Sequence, residues 1–242
     1  MNRRTLLIAG AMASLPVVGL AGPGLAQEPE TTDAPRVAAP KGALVLFDGT
    51  GLSAWVNRKD GNPAAWKVDG GYMEVTPGSG DIVTRQTFTD YQLHVEFWLP
   101  DMPEATGQGK ANSGVYNQGR IEVQVLDSFG QPPRDNEAGG IYQVAVPLRN
   151  ASKKAERWQS YDIAYRAPRF GGADGKQQTE RGRITVFHNG VLIHNNVEFD
   201  ARTTTSGLPP EGGDYSKPGP ILLQDHGNKV RYRNLWILPA GG

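Results

Sequence analysis

Short runs of alternating apolar and polar side chains, separated by glycine-containing turns, follow one another along the chain from Leu44 onward. In residues 91–99, for example, Leu93, Val95 and Phe97 are separated by polar or amphipathic side chains. Because successive side chains of a strand point to opposite faces, this alternation predicts a strand with one face in a core. No segment shows a sustained apolar period of 3.6 residues, so we expect an all-β protein in which helices are few and short.

Two turn sequences predict hairpins within this series of strands. Asp69-Gly70 separates two short β-type runs, and His188-Asn189-Gly190 separates two others. Asp-Gly and Asn-Gly pairs tolerate the positive φ angles that tight hairpin turns need. At 242 residues, with 31 glycines and 18 prolines, the chain has the length of one large β domain. The sequence therefore predicts a two-sheet antiparallel jelly-roll sandwich.

Residues 1–26 have the features of an export signal peptide. Arg3 and Arg4 form a basic start, residues 6–20 are apolar, and residues 24–26 offer small side chains for cleavage. The apolar stretch is short and interrupted by Gly and Pro, so it does not predict a membrane span in the mature chain. The paired arginines weakly resemble a twin-arginine signal. We expect a periplasmic or secreted protein.

Composition limits the partners of the remaining chain. Residues 27–41 are rich in Pro, Ala and Thr and predict a flexible linker before one domain at 42–240. Without Arg3 and Arg4 the mature chain would have 25 − 2 basic residues and 25 acidic residues, which is a net charge near −2. No basic run stands out, so we predict no nucleic-acid partner. The absence of cysteine means that an exported domain must be stabilised by its core rather than by disulfides.

Residues 112–127 carry polar side chains along one face of two predicted strands. By alternation, Val123 and Val125 point to the core while Glu122 and Gln124 point to the other face. A carboxylate beside an amide can bind a sugar hydroxyl as acceptor and donor, and a carboxylate can also transfer a proton. The alternative is an exposed strand with ordinary polar residues facing outward.

A second chemical motif is Gln224-Asp225-His226-Gly227. By alternation, Gln224 and His226 share a face; a histidine can act as acid or base near neutral pH, and Asp225 could fix its tautomer. The alternative is a turn histidine satisfied by local backbone. No pair of histidines has the spacing of a zinc site with a third ligand, and there is no Gly-x-Gly-x-x-Gly dinucleotide motif, so we predict no metal or cofactor.

Aromatic residues and loops add to a carbohydrate interpretation. Five tryptophans are many for this length, and sugar rings stack on indoles, although tryptophan is also core material. Trp98 and Tyr116 are the better candidates for stacking because they lie on or near the polar strands. Two long loops, residues 100–110 and 129–140, border the same strands, and loops of this size are often functional.

Several segments, in order along the chain, resemble the 3-keto-disaccharide hydrolase domain family. The matching segments are Leu46-Phe47-Asp48-Gly49 with Leu52-Ser53-Ala54-Trp55, Tyr91 to Glu96, Asn112 to Tyr116, Glu122 to Asp127, Trp158 to Ile163, His188 to Val191, Gly219 to Gly227 and Arg231 to Asn234. The resemblance implies an exported, concanavalin-like jelly roll that cleaves glycosides already oxidised at the sugar C3. Some members are described as 3-keto-glycoside 1,2-lyases and 2-hydroxy-glucal hydratases.

The resemblance also implies a chemistry for the polar residues. A ketone at C3 acidifies the C2 proton, so a base can remove it while an acid protonates the leaving oxygen at C1. Glu122 and His226 are the leading base and acid, in either order, and Glu96 and Asp225 are further catalytic candidates. The predicted substrate-binding residues are Asn112, Ser113, Tyr116, Gln124, Gln224, Arg233 and Trp98. We expect Glu122 and His226 to converge on one pocket, and a separate dehydrogenase to oxidise C3 of the carbohydrate substrate upstream.

Two other functions compete with this hypothesis. Glu122-x-Gln124-x-x-Asp127 resembles the bulged carboxylate strand of laminarinase-like retaining glycosidases, but without a bulge Asp127 falls on the opposite face from Glu122. A non-catalytic carbohydrate-binding module would use the same aromatic and amide face without needing a base.

Overall fold

The computed structural model describes residues 32–201, 203 and 216–240, so the predicted signal peptide lies outside the described residues. Within these residues the fold is an all-β jelly-roll sandwich of antiparallel strands, with a single 3-10 turn at Gly107–Gly109. The alternation in the sequence predicts this fold class, and the structure confirms it. In the described part of the chain, no helix is long and apolar enough to cross a membrane.

Sheet A contains eight strands. In spatial order these are β13 (Val191–Phe199), β12 (Gly182–His188), β9 (Trp158–Arg166), β6 (Tyr91–Trp98), β15 (Arg231–Pro239), β4 (Tyr72–Glu74) and β3 (Lys67–Asp69), with β1 (Leu44–Phe47) also paired to β15. The two predicted hairpins, β3–β4 and β12–β13, are both present. Gly70 and Gly71 in the first turn, and Asn189 and Gly190 in the second, have the positive φ that such turns require.

Sheet B contains five strands and packs on sheet A. In spatial order they are β2 (Trp55–Asn57), β5 (Ile82–Thr84), β14 (Leu222–Leu223), β7 (Asn112–Asn117) and β8 (Ile121–Leu126), while β10 (Arg169–Gly171) and β11 (Gln177–Glu180) form a separate hairpin. The core lies between the sheets. It includes the fully buried side chains Leu93, Val95 and Phe97 from sheet A and Val115, Val123 and Val125 from sheet B.

Several buried tyrosine hydroxyls of sheet A bond across this core, and two of them bond to the strands that carry the predicted site residues. Tyr161 on β9 donates a hydrogen bond to the backbone oxygen of Gln124 on β8 at 2.7 Å. Tyr232 on β15 donates to Ser113 Oγ on β7 at 2.6 Å, and Ser113 Oγ donates in turn to the backbone oxygen of Gln224 at 2.6 Å. Burial raises the pKa of both tyrosines, so the hydroxyls remain protonated donors. An unpaired hydroxyl in this core would be costly, so the bonds hold the two sheets in one relative position.

Part of the segment that the sequence predicts as a flexible linker packs on the outer face of sheet A. Ala34 is buried and its backbone N–H donates to the oxygen of Trp158 at 2.8 Å, while Asp33 Oδ1 accepts from the Trp158 N–H at 2.9 Å. The backbone oxygen of Val37 accepts hydrogen bonds from Asn234 and Trp236. These contacts correct the expectation of a loose linker for residues 33–37, because backbone groups find partners there that composition does not reveal.

Replacing Tyr161 by Phe should lower the free energy of unfolding by about 1 kcal/mol, because Gln124 O loses one of its two donors and keeps only the Gly139 N–H at 2.9 Å. Urea unfolding of wild type and Tyr161→Phe measures the difference. Tyr142→Phe is the matched control, since the half-buried Tyr142 hydroxyl has no hydrogen bond within the described residues. Equal stability of Tyr161→Phe and wild type would contradict the role given to this hydroxyl.

Candidate functional site

The outer face of sheet B carries a row of side chains that begins apolar and ends at a carboxylate. Leu222 pairs with Val83 on one side and with Tyr116 on the other, and Tyr116 pairs with Glu122. Residues paired across neighbouring strands point to the same face of a sheet. Because Val123 faces the core, this row points away from it, as the sequence alternation predicts for Glu122.

A second, polar row lies next to the first. Gln124 pairs with Gly114, and the Gln224 N–H donates to the Gly114 oxygen at 3.1 Å, so these three residues lie side by side. We call this surface the polar face of sheet B, and its members are Asn112, Tyr116, Glu122, Gln124 and Gln224. The structure therefore brings together five of the residues that the sequence predicts for the site.

Glu122 occupies space that only a glycine leaves open. Its side chain is about 1% exposed and lies over Gly114 beside Tyr116. A Cβ on Gly114 would overlap Glu122 Oε1 and would lie 2.7 Å from Tyr116 Cε2. The Tyr116 hydroxyl accepts a hydrogen bond from Gln224 Nε2 at 3.1 Å. Glycine at 114 is thus what allows the carboxylate and the phenol ring to sit side by side.

The two amides beyond Glu122 bond to each other and to the 3-10 turn. Gln124 Nε2 donates to Asn112 Oδ1 at 3.0 Å, and Asn112 Nδ2 donates to the backbone oxygen of Gln108 at 3.0 Å. Gln108 lies in the predicted functional loop 100–110, but the sequence analysis did not single it out. Both site amides are buried, so their orientation is set before any ligand arrives.

His226 lies three residues beyond the end of β14 at Leu223, outside any strand, so the structure does not extend to it the alternation that predicts a shared face with Gln224. The side chain is exposed and makes no hydrogen bond or ion pair within the described residues. No contact joins His226 to Glu122 in the described part of the chain, so the structure does not show the convergence that the sequence analysis expects.

Asp225 does not orient His226, which corrects the sequence expectation. Asp225 Oδ2 accepts the Gly80 N–H at 2.9 Å, and Oδ1 accepts the Gly227 N–H at 2.9 Å. The carboxylate therefore holds two loops in place, and one of its partners lies far away in the sequence.

Ser113 is also corrected. It pairs with Val125 on the core side of the sheet, and its hydroxyl bonds to Tyr232 and to the backbone of Gln224. Its contribution is to position the segment that carries Gln224, rather than to contact a substrate.

Glu96, Trp98 and Arg233 lie on the outer face of sheet A, so the core separates them from Glu122. Val95 and Phe97, which flank Glu96 on β6, point into the core, so Glu96 points to the opposite side of the sheet. Glu96 Oε2 accepts from Arg233 Nε at 2.6 Å, and Trp98 is covered by the Arg231 guanidinium at 4.2 Å. This placement corrects the expectation that the three residues share a site with Glu122.

His94 completes the charged cluster on that outer face. His94 Nδ1 lies 2.7 Å from Asp162 Oδ1, and its Nε2 lies 3.4 Å from Glu96 Oε1. Burial lowers the pKa of His94, but the hydrogen bonds and charges of the two carboxylates outweigh burial and raise it to about 9. Burial raises the pKa of Glu96, but hydrogen bonds from His94, Asn234 and Arg233 lower it overall. The cluster is a compensated ionic network that stabilises the fold.

The sequence analysis missed Arg58 and Asp81 on sheet B. Arg58 Nη1 lies 3.4 Å from Asp81 Oδ2, and both follow the alternation set by Val56 and Val83, which pair with each other. That alternation was readable in the sequence, but both residues fall just beyond the ends of very short strands.

The laminarinase-like arrangement is not found. β7 and β8 pair without a register shift, so no bulge turns Asp127 toward the face of Glu122. Asp127 instead forms an ion pair with Lys110 Nζ at 2.9 Å. Among residues 32–201, 203 and 216–240, no group of three or more His, Cys, Asp or Glu side chains could hold a metal ion.

Comparison with known proteins points to carbohydrates. Residues 42–238 match the model of a family described as the 3-keto-alpha-glucoside-1,2-lyase-like domain. The solved structure of a candidate glycosyl hydrolase from Parabacteroides distasonis is 38% identical, with a TM-score of 0.74 over 86% of this chain and 90% of that one. No curated protein matches. The family and this structure support a carbohydrate-related, hydrolase-like function.

Two further candidate glycosyl hydrolases from Parabacteroides distasonis share the fold. One is 18% identical with a TM-score of 0.61, covering 85% of this chain and 99% of that one. The other is 22% identical with a TM-score of 0.54, covering 82% of this chain and 99% of that one.

The stability that protonated His94 contributes should be lost as the pH rises. Its pKa is raised from 6.5 to about 9, so the contribution is complete below pH 6.5 and disappears as the pH passes about 9. The full effect is on the order of 3 kcal/mol. Urea unfolding of wild type and His94→Gln at about pH 6 and about pH 9.5 measures it. The difference in the free energy of unfolding between the two proteins should be smaller at the higher pH. A difference that does not change with pH would contradict the stabilising role of protonated His94.

Proposed function

Since the chain belongs to the 3-keto-alpha-glucoside-1,2-lyase-like domain family, we propose that it cleaves the glycosidic bond of glycosides that carry a ketone at C3 of the sugar. The observation that carries the proposal is the Glu122 carboxylate, held over Gly114 beside Tyr116 on a face otherwise lined by amides. Amides bind hydroxyls, and a positioned carboxylate supplies the base that a C2 proton requires.

The reaction begins with proton transfer to Glu122. As the C2–H bond breaks, its electron pair moves toward the C3 ketone and forms an enolate. Collapse of the enolate expels the C1 oxygen of the aglycone, which takes up a proton from an acid. Water then adds to C1 and the proton returns to C2, so the net change is hydrolysis with no oxidant or reductant consumed.

The other groups of the polar face take the remaining roles. Gln224 Nε2 donates to the Tyr116 hydroxyl, and this polarisation makes the phenol a good donor to an enolate oxygen. His226, two residues after Gln224 in the chain, is the acid for the leaving oxygen. Gln124 and Asn112 bind the sugar hydroxyls between them.

The substrate must come from another enzyme. The chain has no dinucleotide fingerprint, so a separate dehydrogenase that oxidises C3 supplies the keto-sugar. The predicted signal peptide extends the proposal to a periplasmic or secreted protein. The dehydrogenase and this protein would then act in the same compartment.

Glu122→Gln should slow cleavage of 3-keto-glucosides at least about 100-fold, because the amide cannot accept the C2 proton. NMR in D₂O follows release of the aglycone and deuterium at C2, with 3-keto-glucose incubated without protein to correct for spontaneous exchange. The unoxidised parent glucosides should not react. Glu96→Gln is the matched control, because it removes a buried carboxylate on the other sheet and should lower stability while turnover persists.

The outcomes of this experiment separate the candidate functions. Deuterium at C2 supports elimination and rehydration, and release without deuterium points to direct hydrolysis. Retained turnover in Glu122→Gln would overturn the assigned base. If no keto-glucoside is cleaved but glycans still bind both wild type and Glu122→Gln, the protein is a carbohydrate-binding module.

Gly114→Ala should lower kcat about 10- to 100-fold and should also lower the melting temperature, because the new methyl group displaces the Glu122 carboxylate and would lie 2.7 Å from the buried Tyr116 ring. Steady-state kinetics and thermal unfolding measure the two effects. Gly51→Ala is the control, since nothing lies within 4 Å of a Cβ built there and its φ is not positive. Wild-type kcat in Gly114→Ala would show that the position of this carboxylate does not matter.

A further inference from the structure

Three side-chain amides at one end of the polar face of sheet B form a chain of hydrogen bonds. Gln108 Nε2 donates to the backbone oxygen of Asn136 at 2.6 Å. Asn112 Nδ2 donates to the backbone oxygen of Gln108 at 3.0 Å and to Gln108 Oε1 at 3.2 Å, and Gln124 Nε2 donates to Asn112 Oδ1 at 3.0 Å. Gln108 and Asn136 lie in the two long loops that the sequence predicts to be functional, so these bonds join both loops to β7 and β8.

The direction of the amides in this chain of bonds is fixed. A side-chain amide can present its oxygen or its NH2 group to a neighbour, whereas a backbone oxygen only accepts. The backbone oxygen of Gln108 therefore requires the NH2 group of Asn112, which turns Asn112 Oδ1 toward Gln124. That oxygen in turn requires the NH2 group of Gln124. The remaining polar atom, Gln124 Oε1, points away from the chain of bonds.

Gln124 Oε1 is an accessible acceptor without a partner. No group among the described residues donates to it, although the side chain is only 2% exposed. Four side-chain polar atoms in the described part of the chain are both fully buried and unpaired, and Gln124 Oε1 is not one of them. It therefore reaches accessible surface. Because polar atoms in protein interiors are normally paired, this fixed and unpaired oxygen is suited to a hydrogen atom of a ligand.

The position of Gln124 relative to Glu122 suits a single sugar. The two residues are separated by Val123 on β8 and point to the same face. A rise of about 3.4 Å per residue puts their Cα atoms roughly 7 Å apart, a distance that one sugar ring with its hydroxyl groups covers. A ketone oxygen only accepts hydrogen bonds and is repelled by Gln124 Oε1, whereas a hydroxyl can donate to it.

We propose that Gln124 Oε1 orients the keto-sugar over Glu122 by accepting a hydrogen bond from a sugar hydroxyl, which turns the C3 ketone away from Gln124. The inference rests on the proposed function, because it assumes that the sugar lies over Glu122. Asn112 is the positioning residue of this contact, since its oxygen holds the Gln124 amide in the orientation that presents an acceptor. The feature of the substrate that is recognised is thus a hydroxyl that donates, and not merely a polar atom.

Fluorine tests the direction of this hydrogen bond, because it replaces a hydroxyl at similar size but cannot donate. The substrates are a 3-keto-glucoside and its deoxy and deoxyfluoro analogues at C2, C4 and C6, all with the same aglycone. At one of these positions the deoxy compound should have a KM about tenfold above that of the parent, and fluorine should not restore it. A parent-like KM for all three fluoro compounds, or for all three deoxy compounds, would overturn the proposal. This comparison uses wild type alone.

Gln124→Met should raise KM for the parent about tenfold with little change in kcat, because the contact is made equally in the ground and transition states. It should cost nothing further for the deoxy compound that already lacks the recognised hydroxyl. The ratio of kcat/KM between variant and wild type cancels differences in intrinsic reactivity among the substrates. An equal loss on every substrate would mean that Gln124 acts only through the fold. Gln92→Met is the matched control and should leave KM unchanged, since the exposed Gln92 side chain makes no hydrogen bond within the described residues.

The failures of the two proposals are distinguishable. If the parent is cleaved but the analogues show no such pattern, the role of Gln124 is overturned and the proposed function stands. If no compound is cleaved, the proposed function fails, and calorimetric binding of the same series to wild type tests the contact directly. Weaker binding of one deoxy compound that fluorine does not restore supports an acceptor at Gln124, and equal binding of the series overturns it.

Discussion

Two tyrosine hydroxyls that reach across the core hold the strands of the polar face in register. Tyr161 binds the backbone of β8 at Gln124, and Tyr232 binds Ser113, whose hydroxyl binds the backbone at Gln224. A shift of sheet B by one residue would leave both hydroxyls unpaired in an apolar layer and would turn Glu122 into the core. The position of the candidate base therefore depends on bonds made on the opposite side of its own sheet.

Each sheet carries a buried carboxylate, Glu96 on sheet A and Glu122 on sheet B, and the two have different surroundings. Glu96 lies among Arg233, Asn234 and a protonated His94, which hold its pKa low and make it a structural ion. Glu122 instead lies beside Tyr116 and over Gly114. Because Gly114 has no side chain, the carboxylate has room there. The charges around Glu96 fix a part of the outer face of sheet A, whereas the side chain of Glu122 takes its place from the space over Gly114. The surroundings, rather than burial alone, separate the two roles.

Local sequence rules predicted which side chains of a strand share a face, but not which sheet that strand joins. Alternation placed Glu122 and Gln124 opposite Val123 and Val125, and the Asp-Gly and Asn-Gly turns marked two real hairpins. Alternation has no information about which sheet a strand joins, so the polar faces of β6 and β8 looked equivalent although they lie on opposite sides of the molecule. The partner of Asp225 is Gly80, 145 residues away, and only tertiary pairing reveals it.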